Sequence, residues 1–182
     1  MIHKIDEAPA VSLTEISHSS IHRDILFGPS RPDLLRVEAL ADLFEATARS
    51  VPQKVALIYG DQQLTYVELD QKADQVAAHL MNAGVIPGQI IGLLLPRGID
   101  LLLMQLGITK AGAAWLPFDA DTPASRINVC LDDAKASGIV SCMTLSGQLQ
   151  GCGCTVWIAE ALLAVTTSVP PPRDSSTKWF AS

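Results

Sequence analysis

Ile90-Ile91-Gly92-Leu93-Leu94-Leu95 is a continuous apolar run ended by Pro96-Arg97-Gly98. Such a run without alternation is expected of a strand covered on both faces of a parallel sheet. The stretch from Asp100 to Ala111 reads as a helix that is apolar on nearly every side, which predicts burial between layers. Gly112 closes it, and Ala113 to Phe118 reads as the next strand, again buried. Thr122-Pro123 then supplies an N-cap with proline at the first helical position, and a helix is expected from Ala124 to about Ala136. Gly138 to Cys142 follows as a further core strand.

The same alternation extends toward the N-terminus. Val55 to Tyr59 and Gln63 to Tyr66, separated by Gly60-Asp61, read as a hairpin. Thr65 and Glu68 have capping-box spacing: the hydroxyl accepts from the backbone N–H three residues on, and the carboxylate reaches back to the N–H of the cap. The helix they start presents Leu69, Ala73, Val76, Ala77 and Leu80 on one face, and Gly84 ends it. Upstream, Val37, Leu40, Leu43, Phe44 and Ala48 are expected on one face of an amphipathic helix that stops at Val51-Pro52. Strands alternating with helices at this spacing predict an α/β fold, a layered and mostly parallel sheet with flanking helices.

The ends of the chain carry less pattern. Residues 1–35 read as a leader or incoming linker, 36–165 as the folded portion and 166–182, with Pro170-Pro171-Pro172 and a Ser/Thr cluster, as a disordered tail. After Cys142 the pattern loosens through Ser146-Gly147 and Gly151-Cys152-Gly153, with one last short strand expected at Thr155 to Ile158.

Composition narrows the function. The 182 residues are 48% hydrophobic, enough for a buried core, and the net charge of −6 argues against a nucleic-acid partner. No apolar stretch approaches the ~20 residues needed to span a bilayer, and no signal peptide is evident, so no membrane partner is expected and cytoplasm is the expected location. Cys130, Cys142, Cys152 and Cys154 are too unevenly placed for a disulfide framework, and Cys152-Gly153-Cys154 lacks two further convergent ligands for zinc. His3, His18, His22 and His79 lie far from it in sequence.

Leu64-Thr65-Tyr66-Val67-Glu68-Leu69 and Lys110-Ala111-Gly112-Ala113-Ala114-Trp115-Leu116-Pro117-Phe118-Asp119, in this order, resemble the N-terminal part of the adenylate-forming (AMP-binding) superfamily. The likeness is nearest to the amino-acid adenylation domains of nonribosomal peptide synthetases. Leu95-Pro96-Arg97-Gly98 and Trp115 to Pro123 look like the single-module synthetases that make amino-acid homopolymers such as poly-lysine.

The resemblance implies two-step chemistry in the complete domain. A carboxylate attacks the α-phosphorus of ATP with magnesium, pyrophosphate leaves, and the acyl-adenylate passes to a carrier-protein thiol. The Ser/Thr/Gly-rich phosphate loop with its proline and lysine, and the catalytic lysine of the C-terminal lid, have no counterpart in these residues. Gly151-Cys152-Gly153-Cys154 has no adjacent lysine, and Ser175-Ser176-Thr177-Lys178 has no glycine to let N–H groups converge on a phosphate.

The chain therefore reads as a truncated N-terminal part of an adenylation domain, inactive alone and binding no cofactor by itself. Its expected partners are the missing C-terminal part of that domain or a carrier protein. The alternatives are a non-catalytic interaction module completing a separately encoded remainder, and a pseudogene fragment.

No catalytic, cofactor-binding or metal residue is assigned. Lys110 could approach a phosphate, but the last turn of a helix accounts for it, where a cation meets free carbonyls and the macrodipole. Arg97 lies past the C-terminal end of a strand, where open α/β sheets bind ligands, but also reads as a solvated loop residue. His79 is expected on a helix surface or partly covered. Asp119 and Asp121 are expected to form a turn or cap a helix.

Overall fold

The computed structural model describes residues 38–164. The expected leader and tail lie outside them. The described part is built from an open parallel sheet with helices on both faces and a separate hairpin.

Helix α1 (Leu40–Ser50) leads into strands β1 (Val55–Tyr59) and β2 (Gln62–Thr65), which pair antiparallel with Tyr59 opposite Gln62. Gly60 takes φ +58° in the turn between them. Helix α2 (Tyr66–Asn82) starts directly from β2. The Thr65 N–H donates to Glu68 Oε2 at 2.8 Å, and the Glu68 N–H donates to Thr65 Oγ1 at 3.4 Å, so the capping box forms as its spacing requires. The bond from Thr65 N–H holds the Glu68 carboxyl below its ordinary range, with the Thr65 hydroxyl adding to the effect.

Strand β3 (Ile90–Leu94) pairs parallel with β4 (Ala114–Phe118) on one side and with β5 (Gly138–Ser141) on the other, and β6 (Thr155–Ile158) extends the sheet beyond β5. Helix α3 (Ile99–Lys110) connects β3 to β4, and α4 (Ala124–Asp133) connects β4 back across β3 to β5. A short 3₁₀ turn (Ser146–Leu149) precedes β6, and α5 (Ala159–Ala164) follows it.

Side chains alternate across β3 and β5 as a two-faced sheet demands. Ile91, Leu93, Leu95, Val140 and Cys142 join α2 and α3 in one core, while Leu94 and Ile139 join Ile127 and Leu131 of α4 in the other. All five residues on the expected face of α2 are buried. The α2–α3 crossing is close enough that a Cβ on Gly107 would sit 2.5 Å from Val76 Cγ1.

Helices α2 and α3 end in the same way. Gly84 (φ +92°) and Gly112 (φ +79°) turn left-handed, and the N–H groups of Val85 and Ala113 reach back to the Leu80 and Ile108 carbonyls at 3.0 and 3.1 Å. This double closure satisfies carbonyls that would otherwise be orphaned at the helix end.

The structure corrects four expectations. On α1, Ala41 and Ala48 are buried and Phe44 and Glu45 partly buried, while Leu40 at 64% and Leu43 at 40% exposure face out. Part of the expected stripe thus turns outward, and an ion pair at Glu45, described below, holds that polar residue on the inner side. Helix α4 ends at Asp133, not Ala136, because Lys135 adopts φ +50° and makes the same closure as the two glycines, with the Ala136 N–H on the Leu131 carbonyl at 2.9 Å.

Thr122 does not cap α4. The cap position is Pro123, without a side-chain bond, and Pro123 O accepts from Arg126 and Ile127. Strand β4, expected to be buried, is an edge strand among the described residues, with Ala114, Trp115 and Pro117 exposed. Proline suits an edge, where a missing N–H removes no interior ladder bond.

Candidate functional site

In open α/β sheets ligands bind beyond the carboxyl ends of the strands, where the chain leaves neighbouring strands in opposite directions. Here β3 leads outward to β4 and β5 leads the other way to β6, so that point lies between β3 and β5. A cavity of about 200 Å3 sits there, lined by Leu95, Pro96, Arg97, Gly98, Asp100 and Cys142, with Tyr59 and Gln62 of the hairpin closing one side.

The floor of this crevice is tied by buried Ser141, whose hydroxyl donates to the Leu94 carbonyl at 3.0 Å and so bridges β5 to β3. Next to it, the Met143 N–H donates to both Glu160 carboxylate oxygens at 3.1 and 3.2 Å, which fastens the end of β5 to the start of α5. Cys142 Sγ is 3.1 Å from Thr144 Oγ1.

Of the residues weighed from sequence, only Arg97 reaches this crevice. It is exposed and makes no ion pair among the described residues. Asp119 and Asp121 are exposed after β4, where the Asp119 carbonyl accepts from the Thr122 N–H at 3.0 Å; the turn forms through backbone, and neither carboxylate caps α4. His79 is half-buried on α2. Ser175 to Lys178 lie outside the described residues.

Tyr59, Gln62 and Asp100 had not been weighed as site residues, and Cys142 only as one of four cysteines for a disulfide framework. Only the position of Cys142 at a strand exit could have marked it, since the hairpin residues arrive from a different sheet.

Lys110 lies in the last turn of a helix as expected, but its partners are carboxylates and not free carbonyls. It is 4% exposed and sits at the opposite end of the sheet, at the C-terminus of α3. Its Nζ lies 2.7 Å from Asp70 Oδ1 and 3.3 Å from Glu45 Oε1 and donates a short hydrogen bond to Asp74 Oδ1. The Asp70 contact is ionic without hydrogen-bond direction, and that buried oxygen has no other hydrogen-bond partner among the described residues. Burial pushes the Lys110 ammonium down, but Asp70 and Asp74 together carry it above its ordinary value. One buried cation thus joins α1, α2 and α3.

The crevice offers one cation, one carboxylate, a thiol, an amide and a phenol hydroxyl. That set suits polar contacts to a small substrate. Its lining does not include the converging N–H groups and paired charges that suit a triphosphate and its magnesium. No group of three or more His, Cys, Asp or Glu side chains that could hold a metal occurs among the described residues.

Residues 44–175 match the family described as AMP-binding enzyme. The chain belongs to that family. Among the relatives of this AMP-binding chain is the delta-poly-L-ornithine synthetase of Acinetobacter baumannii, 53% identical over 119 residues that cover 65% of this chain and 9% of the synthetase. Bacitracin synthase 2 of Bacillus licheniformis is 38% identical over 136 residues, 72% of this chain and 5% of the synthase.

Among solved structures, the Klebsiella oxytoca NpsA N-terminal subdomain in complex with anthranilyl-AMSN superposes with a TM-score of 0.67 at 28% identity, over 74% of this chain and 34% of that one. The nonribosomal peptide synthetase FmoA3, in a form with α-methyl-L-serine-AMP bound, matches with a TM-score of 0.66 at 31% identity, over 70% and 15% of the two chains.

The AMP-binding chain is thus similar to the N-terminal portion of synthetase adenylation domains, and it spans about a tenth or less of the two synthetases. None of its described helices is long and apolar enough to cross a membrane.

Proposed function

We propose that this chain supplies the first part, about a third, of the N-terminal subdomain of an amino-acid adenylation domain of a nonribosomal peptide synthetase. The complete domain would join an amino acid to ATP, with magnesium, as an aminoacyl-adenylate, and pass the aminoacyl group to a carrier-protein thiol, in the cytoplasm. The observation that carries this reading is the agreement of fold with the NpsA N-terminal subdomain together with the AMP-binding match over residues 44–175. Residues 36–165 would form this part of the subdomain.

Within such an enzyme the role of these residues is positional. The Ser141 to Leu94 bond and the Glu160 clamp on Met143 fix the strand ends, and Arg97 presents a cation over the crevice. Phosphate binding falls to the rest of the domain, so the 182 residues alone are expected to give no adenylation.

The test is amino-acid-dependent exchange of labelled pyrophosphate into ATP, run on the 182-residue protein alone and after co-expression with the remainder of a synthetase adenylation domain, both the rest of its N-terminal subdomain and its C-terminal lid. Background alone and activity with the remainder support the reading. Exchange by the 182 residues alone overturns the positional role, and failure of any remainder to co-purify overturns the subdomain assignment.

A further inference from the structure

We infer that Cys152 and Cys154 are a paired modification site, a dithiol that closes to an intrachain disulfide when it meets a small disulfide oxidant such as oxidised glutathione. The two sulfurs lie 2.9 Å apart, both thiols are free, and both residues are partly exposed. Of the other two described cysteines, Cys142 pairs with Thr144, and Cys130 lies on α4.

The approach is held by the backbone on both sides. The Cys152 N–H donates to the Leu149 carbonyl at 3.0 Å, Gly151 turns left-handed at φ +85°, and β6 begins at Thr155. Both cysteines also pack on the apolar cluster that contains Leu131, Ile139 and Leu149. Gly153 carries no side chain between them and has open space around it, so the turn can tighten to the short Cβ–Cβ separation a disulfide needs.

Burial, followed by the contact with Cys152 and the charge of Asp132, pushes the Cys154 thiol up to about 12. The exchange balances equally with either sulfur attacking first. With Cys152 attacking, its thiolate displaces one glutathione thiolate from oxidised glutathione and becomes a mixed disulfide. Cys154 then gives its proton to the released thiolate, and its sulfur displaces the second glutathione from Cys152. Two protein thiols are oxidised, and one glutathione disulfide is reduced to two glutathione thiols. The loop closed is so short that little unfolded-state entropy is removed, and a thiol count is a better readout than melting temperature.

The full chain would be equilibrated in glutathione buffers from fully reduced to mostly oxidised, quenched in acid, alkylated, and mapped by mass spectrometry. The expected result is joint loss of alkylation at Cys152 and Cys154 in one step, reversed by dithiothreitol, while Cys130 and Cys142 remain alkylated. In Cys154→Ser the reaction should stop at a single glutathione on Cys152; circular dichroism checks that this variant is folded, and the wild-type map is decisive without it. The proposal is overturned if both thiols stay alkylated in the most oxidised buffer, if each keeps its own glutathione, or if either links to another cysteine or another chain.

Discussion

Lys110 and Asp70 meet 2.7 Å apart at the junction of α3 and α2, with the lysine sealed from solvent and the carboxylate about a quarter exposed. Asp74 and Glu45 complete the arrangement, so three carboxylates share one ammonium. Removing one member of a buried pair costs ~3–5 kcal/mol because the rest are left uncompensated. The partial exposure of the three carboxylates lets water relieve some of that.

Lys110→Met is therefore expected to destabilise the fold by about 2 kcal/mol, below the fully buried range. Urea denaturation checks it: the midpoint should fall while the slope stays constant. An unchanged midpoint would show that the cluster contributes nothing.

The same pair predicts a pH dependence. Because the folded value of Lys110 lies above its ordinary 10.5, the native state holds the proton more tightly than the unfolded chain. The stabilisation is fully present below 10.5 and is lost as pH rises through the higher folded value. The stability difference between wild type and Lys110→Met should shrink only in that alkaline window. A difference that instead vanished between neutrality and mild alkalinity would contradict the assignment.

Gly107→Ala sets two effects against each other. Alanine gains up to ~1 kcal/mol of helix propensity, whereas the new Cβ meets Val76 at 2.5 Å. Overpacking of that kind costs ~1–3 kcal/mol, so net destabilisation is expected. Pairing it with Val76→Ala should recover part of the loss in thermal unfolding, and equal loss in the single and double variants would argue against the clash.

Lys135→Gly should stabilise the protein. A non-glycine residue in the left-handed region costs ~1–2 kcal/mol, and part of the gain is offset by the freedom glycine adds to the unfolded chain. The net is about 0.5–1 kcal/mol, seen as a higher melting temperature. A lower one would mean that the Lys135 side chain contributes something the turn does not explain.

Arg97→Ala separates site from scaffold. The side chain is exposed, so stability should stay within about 0.5 kcal/mol of wild type. Pyrophosphate exchange in a reconstituted domain should fall if Arg97 contacts substrate. Unchanged exchange would leave it as a solvated loop residue.

How much was legible in the sequence can be judged from particular residues. Thr65 and Glu68 announced the start of α2, and Gly84 and Gly112 its end and that of α3, because capping and left-handed closure are local and need only neighbouring residues. Leu40 and Leu43 misled for the opposite reason: periodicity marks an apolar stripe, but which side turns inward depends on Glu45 meeting Lys110 sixty-odd positions away. Lys135 hid the end of α4 because lysine carries no signal for a left-handed turn.

The order of strands and helices, the two-faced burial of β3 and the family likeness were readable along the chain, since each rests on periodicity and short motifs. That β4 lies at the sheet edge, that Arg97, Cys142 and the hairpin share one crevice, and that Lys110 is enclosed by acids from two other helices emerged only from the folded arrangement. Strand order and long-range ion pairs depend on how distant segments pack, and no local pattern encodes which distant segment will arrive.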